Sequence, residues 1–181
     1  WNVQPMGEGL NYFQLIMDHY RTFRRLGLNV DFVHKNTKDF SGYKLISVVG
    51  AIHISSDLIS RISKAMATLV FGPRTGARVG NMQIPKNLPP QINLVKSRIL
   101  RVETLPSNVS LEIDPVGRAG RYIETIKLDN NASPYLKLKN GQVIATKEES
   151  GIIYLASMID QEGLTAFYQK LFKEIKLDFL L

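Results

Sequence analysis

The chain has 181 residues, of which 44% are hydrophobic and 22% charged, and it contains no cysteine. This composition is that of a globular domain, and the absence of cysteine excludes thiolate catalysis, redox pairs and cysteine-ligated zinc. Lys and Arg (23) exceed Asp and Glu (16), so the net charge is +7, which permits an anionic partner without requiring one. No apolar run approaches the roughly 20 residues of a membrane span, and the first residues do not follow a signal-peptide pattern.

The first half of the chain alternates between helix and strand patterns. Apolar residues at helical spacing predict a helix over residues 10–26, with an inward face of Phe13, Ile16, Met17, Tyr20 and Phe23. We expect strands over residues 28–33 and 45–49, the second of them parallel and buried. Ser55 or Ser56 caps a second helix, whose inward residues are Leu58, Ile59, Ile62 and Met66. A buried strand over residues 68–71 completes a rhythm typical of a parallel α/β sheet.

Residues 72–90 form a long segment rich in Gly, Pro and Asn, without periodicity. Segments of this length in a compact domain are usually functional or mobile. Because the segment follows a parallel strand, we expect it at the carboxyl edge of the sheet, where open α/β folds keep functional surface.

The second half of the chain changes to short strands. Alternation and turn signals predict strands over residues 100–104, 122–128, 135–138, 143–146 and 152–157. Asn140-Gly141 is a favoured hairpin turn between two of them. A last helix presents an apolar face from Leu164 to Ile175. No repeat or linker divides the chain, so we expect one α/β domain over residues 1–181, with added antiparallel strands.

The segment Gly72-Pro-Arg-Thr-Gly76 is a candidate site because α/β folds place anion-binding loops and nucleophile elbows after a buried strand. It has neither the GxGxxG pattern nor the Gly-Lys-Ser/Thr of a phosphate loop. Pro73 and Arg74 occupy the apex where an elbow needs Cys or Ser, and Thr75 has no evident base beside it. The segment therefore favours a rigid turn over a catalytic one.

Three histidines, His19, His34 and His53, lack any metal-ligand spacing, and His19 is expected at the surface or boundary of its helix. We expect neither a metal nor a cofactor. The basic residues lie mainly on predicted helix exteriors while the aromatic residues lie on buried faces, so we expect no nucleic-acid partner.

Two pairs of carboxylates remain. Glu112 and Asp114 share a strand face. They could approach the carboxyl spacing of glycosidases, which is about 5–5.5 Å in retaining and about 6.5–9.5 Å in inverting enzymes. Turn residues beside them favour a solvated rim instead. Glu148-Glu149 is expected to be a polar turn.

Several segments occur in an order shared with one known domain: residues 1–5, 10–13, 20–33, 43–46, 69–76, 83–90, 101–106 and 151–156. The most specific read Phe-Gly-Pro-Arg-Thr-Gly over residues 71–76 and Gln-Ile-Pro with Asn-Leu-Pro-Pro within residues 83–90. In these segments the chain resembles the middle, trimerisation domain of glycoside hydrolase family 42 β-galactosidases.

The resemblance implies a fold similar to class I glutamine amidotransferases, a flavodoxin-like three-layer sandwich whose sheet is mostly parallel with added antiparallel strands. Those amidotransferases carry Cys on the elbow, where this chain has Gly72-Pro-Arg, so we expect no amidotransferase activity. The catalytic glutamates of the β-galactosidases belong to a separate TIM barrel of about 250 residues, for which this chain has no room. The resemblance therefore implies a non-catalytic oligomerisation domain, whose partners are its own copies and the barrel of the same polypeptide.

Two alternatives stay open. One is an independent amidotransferase-like enzyme or hydrolase that uses Arg74, Thr75 and nearby carboxylates. The other is an anion-binding module that exploits the +7 charge.

The chain departs from the family pattern in two places. The family domain begins with a strand ahead of the Trp-Asn-Val-Gln-Pro segment at residues 1–5, and we expect the sheet either to lack this strand or to leave its position open. At the end of the second helix, the family pattern has a longer helix and a Gly-Gly turn, whereas this chain has only Ala67. The second helix is therefore expected to be short or irregular.

The resemblance also implies a homotrimer, and a cyclic trimer needs two different contacting patches on each subunit. The interface candidates are Arg74, Met82, Ile84, Leu88, Pro89 and Pro90, with residues 179–181 as a further apolar segment. The alternative is that these residues fold back onto their own sheet.

Overall fold

The computed structural model describes residues 10–180, so the segment of residues 1–5 and Leu181 lie outside the described part. Three helices occur there: α1 (Tyr12–Arg25), α2 (Ser56–Ser63) and α3 (Gln161–Glu174). The strands are β1 (Leu45–Val48), β2 (Thr68–Phe71), β3 (Arg98–Thr104), β4 (Ser110–Asp114), β5 (Arg118–Lys127), β6 (Ala132–Leu138), β7 (Val143–Glu148), β8 (Ile153–Leu155) and β9 (Ser157–Ile159). The fold is mixed α/β.

The strands form one sheet in the order β1-β2-β8-β7-β6-β4-β5-β3, with β9 paired to β5. Strands β1, β2 and β8 are parallel, while the other six pairings between described strands are antiparallel. The prediction that the sheet is mostly parallel is therefore wrong. Tight turns such as Asn140-Gly141, between β6 and β7, join strands in the second half, and a tight hairpin produces only antiparallel pairing.

The sheet separates two apolar clusters. Side chains alternate along β2, so Val70 enters one cluster while Leu69 and Phe71 enter the other. Helices α1 and α3 cover the first cluster, with Phe23 and Phe172 among its members. Helix α2 and the segment before β3 cover the second. Helices thus lie on both faces of the parallel strands.

Several local predictions are confirmed. Strand β2 has the predicted bounds, and α2 begins after Ser55, whose hydroxyl accepts a hydrogen bond from the Leu58 N–H at 3.2 Å. At eight residues, α2 is also short, as the resemblance implies. The helix cap and the bounds of these two elements depend on residues that are close in sequence.

The predicted inward face of α1 is confirmed at Phe23 and wrong at the other four positions, of which Ile16, Met17 and Tyr20 are half-buried. The helix buries Leu15, His19, Thr22 and Phe23, whereas Phe13 is 71% exposed. His19 is therefore not a surface or boundary residue, because its Nδ1 lies 2.7 Å from the Tyr168 hydroxyl of α3. Hydrogen-bond partners on α3 satisfy the buried polar side chains of α1, so the less apolar face of this helix can be buried.

Three other predictions need correction. Residues 28–33 form no strand, although Leu28 and Val30 pack on the first cluster. Met66 is 99% exposed because α2 ends at Ser63, so this residue lies beyond the helix. The single strand predicted over residues 152–157 is divided at Ala156, where the chain leaves the pairing with β7 and joins β5.

Candidate functional site

The turn after β2 is the centre of the candidate site. Its residue Arg74 has φ 69°, a left-handed conformation unusual for a side chain of this size. A Cβ at Gly72 would collide with Val49, so glycine is required where the chain leaves the strand. The turn bonds to the segment after β1, since the Gly50 N–H donates to the Pro73 carbonyl at 3.2 Å. The turn therefore lies at the carboxyl edge of β1 and β2, as the sequence predicts.

Glu124 of β5 lies against this turn and is 1% exposed. Its Oε1 accepts hydrogen bonds from the Tyr122 hydroxyl at 2.7 Å and from the Arg74 N–H at 3.3 Å. Its Oε2 accepts one from the Tyr154 hydroxyl of β8 at 2.8 Å. Both carboxyl oxygens are therefore occupied, and the group ties the turn to two strands.

Burial dominates the electrostatics of this cluster. It raises the pKa of Glu124 to about 7, against the lowering effect of the three hydrogen bonds. It also raises the pKa of the Tyr122 and Tyr154 hydroxyls, which therefore keep their protons and donate. Burial lowers the pKa of the guanidinium of Arg74, a residue that is 7% exposed as a whole. An enclosed carboxyl with occupied oxygens is suited to anchoring the turn.

The sequence analysis missed Glu124. Strand alternation places it on the same face as Tyr122, which is buried in the structure. A carboxyl group on a buried face requires partners, and this was the available signal. Its donors Arg74 and Tyr154 are 50 and 30 residues away in the chain, so no local motif links them.

Thr75 is fully buried, and its hydroxyl donates to the Val48 carbonyl at 3.0 Å. The hydroxyl therefore has a structural partner at the end of β1. His34 and His53 are exposed. Within residues 10–180, no group of three or more His, Asp or Glu side chains could hold a metal ion, and no helix there is long and apolar enough to cross a membrane.

Glu112 and Asp114 lie on an exposed rim, as predicted. Glu112 forms ion pairs with Lys139 at 2.6 Å and Arg118 at 3.7 Å, and Lys139 lowers the pKa of this carboxyl. Such exposed pairs contribute little to stability.

The prediction for Glu148 is wrong. This residue ends β7 and is 4% exposed, whereas Glu149 is exposed. The Oε1 of Glu148 accepts a hydrogen bond from the Ser97 N–H at 3.5 Å, and burial raises the pKa of the Glu148 carboxyl. The pairing of β7 extends two residues beyond the predicted strand end, and this draws Glu148 inside.

The interface candidates divide by burial. Met82, Ile84 and Leu88 are 45%, 66% and 41% exposed, and we call these three side chains the loop patch. Pro89 is half-buried, and Pro90 is buried like Arg74. Near the carboxyl end, Phe179 packs on Phe172 with ring centroids 5.6 Å apart, whereas Leu180 is 64% exposed.

Comparison with known proteins gives consistent matches. The family model described as the beta-galactosidase trimerisation domain matches residues 1–178. Beta-galactosidase BgaA of Thermus sp is 32% identical over 168 residues, which cover 91% of this chain and 26% of that protein. A beta-galactosidase of Thermus thermophilus is 34% identical over 124 residues, which cover 67% of this chain and 19% of that protein.

Among solved structures, the beta-galactosidase from the psychrophilic Marinomonas ef1 is similar, with a TM-score of 0.90 at 29% identity. The similarity covers 99% of this chain and 27% of that one. The chain thus spans between about a fifth and about a quarter of the length of these relatives.

Proposed function

Because this chain belongs to the β-galactosidase trimerisation domain family, we propose that residues 1–181 form a single non-catalytic oligomerisation domain of a larger β-galactosidase-like glycoside hydrolase. The relatives carry the name beta-galactosidase, and this chain spans only 26% of BgaA. The proposed partners are copies of the same protein, arranged as a homotrimer, and a catalytic barrel elsewhere in the same polypeptide. The loop patch is the observation that carries the assembly role.

The loop patch fits an interface because its side chains are apolar, exposed and held in place. A cyclic trimer joins one patch on each subunit to a different patch on the next, and stable interfaces have apolar centres. We assign contact with the next copy to Met82, Ile84 and Leu88. We assign Arg74, Pro89 and Pro90, which are less exposed, to fixing the ends of the loop. The Arg74 N–H donates to Glu124, and the Pro89 carbonyl accepts a hydrogen bond from the Ile99 N–H at 2.7 Å.

The finer fold assignment, a flavodoxin-like sandwich akin to class I glutamine amidotransferases, is part of the same proposal. Three parallel strands with helices on both faces support it. The tight turn after β2 also supports it, because Arg74 has a left-handed conformation at an elbow position. In this chain an arginine occupies the position at which a catalytic elbow carries its nucleophile.

We expect the isolated chain to hydrolyse neither aryl β-galactosides nor glutamine. Thr75 donates its hydroxyl to a carbonyl, and Glu112 is paired with cations at the surface. The measurement is turnover by repurified chain. Activity that Thr75→Ala or Glu112→Gln abolishes would show that the domain is itself an enzyme.

The assembly role is tested by light scattering on the full-length protein that contains this chain. The double variant Ile84→Asp, Leu88→Asp places charges in the loop patch, and we expect the mass to fall from trimer to monomer. Met66→Asp with Val109→Asp is the matched control, because both residues are exposed but lie outside the patch. A monomeric wild type overturns the assembly role, and a trimer unmoved by the first pair overturns the patch.

A further inference from the structure

The loop patch continues onto β3, the last strand of the sheet. The bond between Pro89 and the Ile99 N–H brings the end of the loop beside the start of this strand. The next apolar residues of β3, Leu100 and Val102, are 53% and 40% exposed. An exposed apolar edge strand is a surface prone to pairing with another chain.

A second apolar group, on α1, is exposed at its two phenylalanines and half-buried at its other two members. We call it the α1 stripe, and it consists of Phe13, Met17 and Tyr20 of the helix together with Phe32. Positions i, i+4 and i+7 share one helix face, and the Phe32 ring lies 5.4 Å from that of Tyr20. Phe13 and Phe32 are 71% and 66% exposed. The stripe has the spacing of a buried face, yet α1 uses another face to pack inside its own domain.

The two groups belong to opposite layers. Helix α1 packs against the first core cluster through Phe23, whereas Ile99 of β3 belongs to the second cluster across the sheet. The two groups therefore lie on elements that pack against different faces of the sheet. Eight of the eleven large apolar side chains exposed in residues 10–180 fall in these groups or directly beside them: Phe13, Phe32, Val33, Met82, Ile84, Leu88, Leu100 and Val102.

Building on the proposed trimer, we propose that the α1 stripe of one copy receives the loop patch and β3 edge of the next copy. A closed ring of identical chains requires two different complementary surfaces on each chain. The molecule offers one surface rich in aromatic rings and one of aliphatic and Met side chains. Aromatic and Met side chains are enriched in interface centres. The matching family model is described as a trimerisation domain, so we take a second copy of this chain as the occupant.

The chain contains no cysteine, so introduced thiols can map this contact once any cysteine elsewhere in the full-length protein has been replaced by serine. One full-length protein carries Met17→Cys and the other Leu88→Cys, and the two are coexpressed with different tags. A short flexible bismaleimide should join the two differently tagged chains. Neither variant alone should crosslink above the background of the unsubstituted protein. Met66→Cys with Leu88→Cys is the matched control and should also remain uncoupled.

Other outcomes overturn the pairing. Crosslinking between two Leu88→Cys chains would show a symmetric loop-to-loop contact. A trimer without the mixed crosslink would show that another part of the polypeptide covers the stripe. The double variant Phe13→Asp, Phe32→Asp gives a second measurement, because it should reduce the trimer to monomer while a trimer that persists contradicts the proposal. A monomeric unsubstituted protein is a separate result, which refutes the assembly role itself.

Discussion

Replacing Glu124 with glutamine should change how the stability of the chain depends on pH. Burial raises the pKa of Glu124 from the ordinary 4.5 to about 7, so the folded state holds this proton more tightly than the unfolded state. The resulting stabilisation is complete below pH 4.5 and is lost as the pH rises to about 7. The pKa difference corresponds to about 3 kcal/mol of unfolding free energy. Glutamine keeps the shape of the side chain and carries no titrating proton.

The assay is urea unfolding of wild type and Glu124→Gln at several pH values. Between about pH 4 and about pH 8, the difference in unfolding free energy should shift by about 3 kcal/mol in favour of the variant. Other titrating groups are common to both proteins, so they cancel in this difference. Glu112→Gln is the matched control, since its carboxyl is exposed and should not reproduce the shift. If the difference in unfolding free energy between wild type and Glu124→Gln stays constant with pH, the raised pKa of Glu124 is refuted.

Three further predictions use the same unfolding measurement. His19→Asn should give a shift of opposite sign, because burial lowers the pKa of His19 from 6.5 to about 4 and wild type loses stability as the pH falls through that range; a pH-independent difference would contradict this. Thr75→Ala removes the hydrogen bond to the Val48 carbonyl and should cost about 1–3 kcal/mol without changing the oligomeric mass. Phe172→Ala opens a cavity at a fully buried position and should cost about 3–5 kcal/mol; a loss below about 1 kcal/mol would mean that the site collapses around the smaller side chain.

The sequence predicts the parts of the fold that short segments determine. Ser55 caps α2, β2 has its predicted bounds, and Asn140-Gly141 turns the hairpin of β6 and β7. The face of α1 could not be predicted in this way. Its buried His19 depends on the Tyr168 hydroxyl, 149 residues away. Periodicity identifies the most apolar face of a helix, but tertiary partners decide which face is buried.

The candidate site also has one part that local sequence predicts and one part that depends on tertiary contacts. The motif at residues 71–76 locates the turn, because the bounds of β2 and the glycine at position 72 are local features. Strand alternation indicates that Glu124 needs partners, but these could not be assigned from sequence because the three donors come from β5, β8 and the turn. The exposed loop patch was predictable only as an apolar excess outside periodic elements. Its exposure depends on where the loop rests against the sheet.

An irregular loop can serve as an interface only if it is ordered before association, since immobilising it on binding would cost free energy. The loop after β2 meets this condition. At its base, the Arg74 N–H is bonded to Glu124, and the Gln91 N–H donates to the Gly76 carbonyl at 2.7 Å. Near its tip, the Val79 N–H donates to the Gln83 carbonyl at 3.1 Å. A loop fixed across its base and near its tip presents the loop patch in one arrangement. The buried carboxyl of Glu124 thereby contributes to the surface that we assign to assembly.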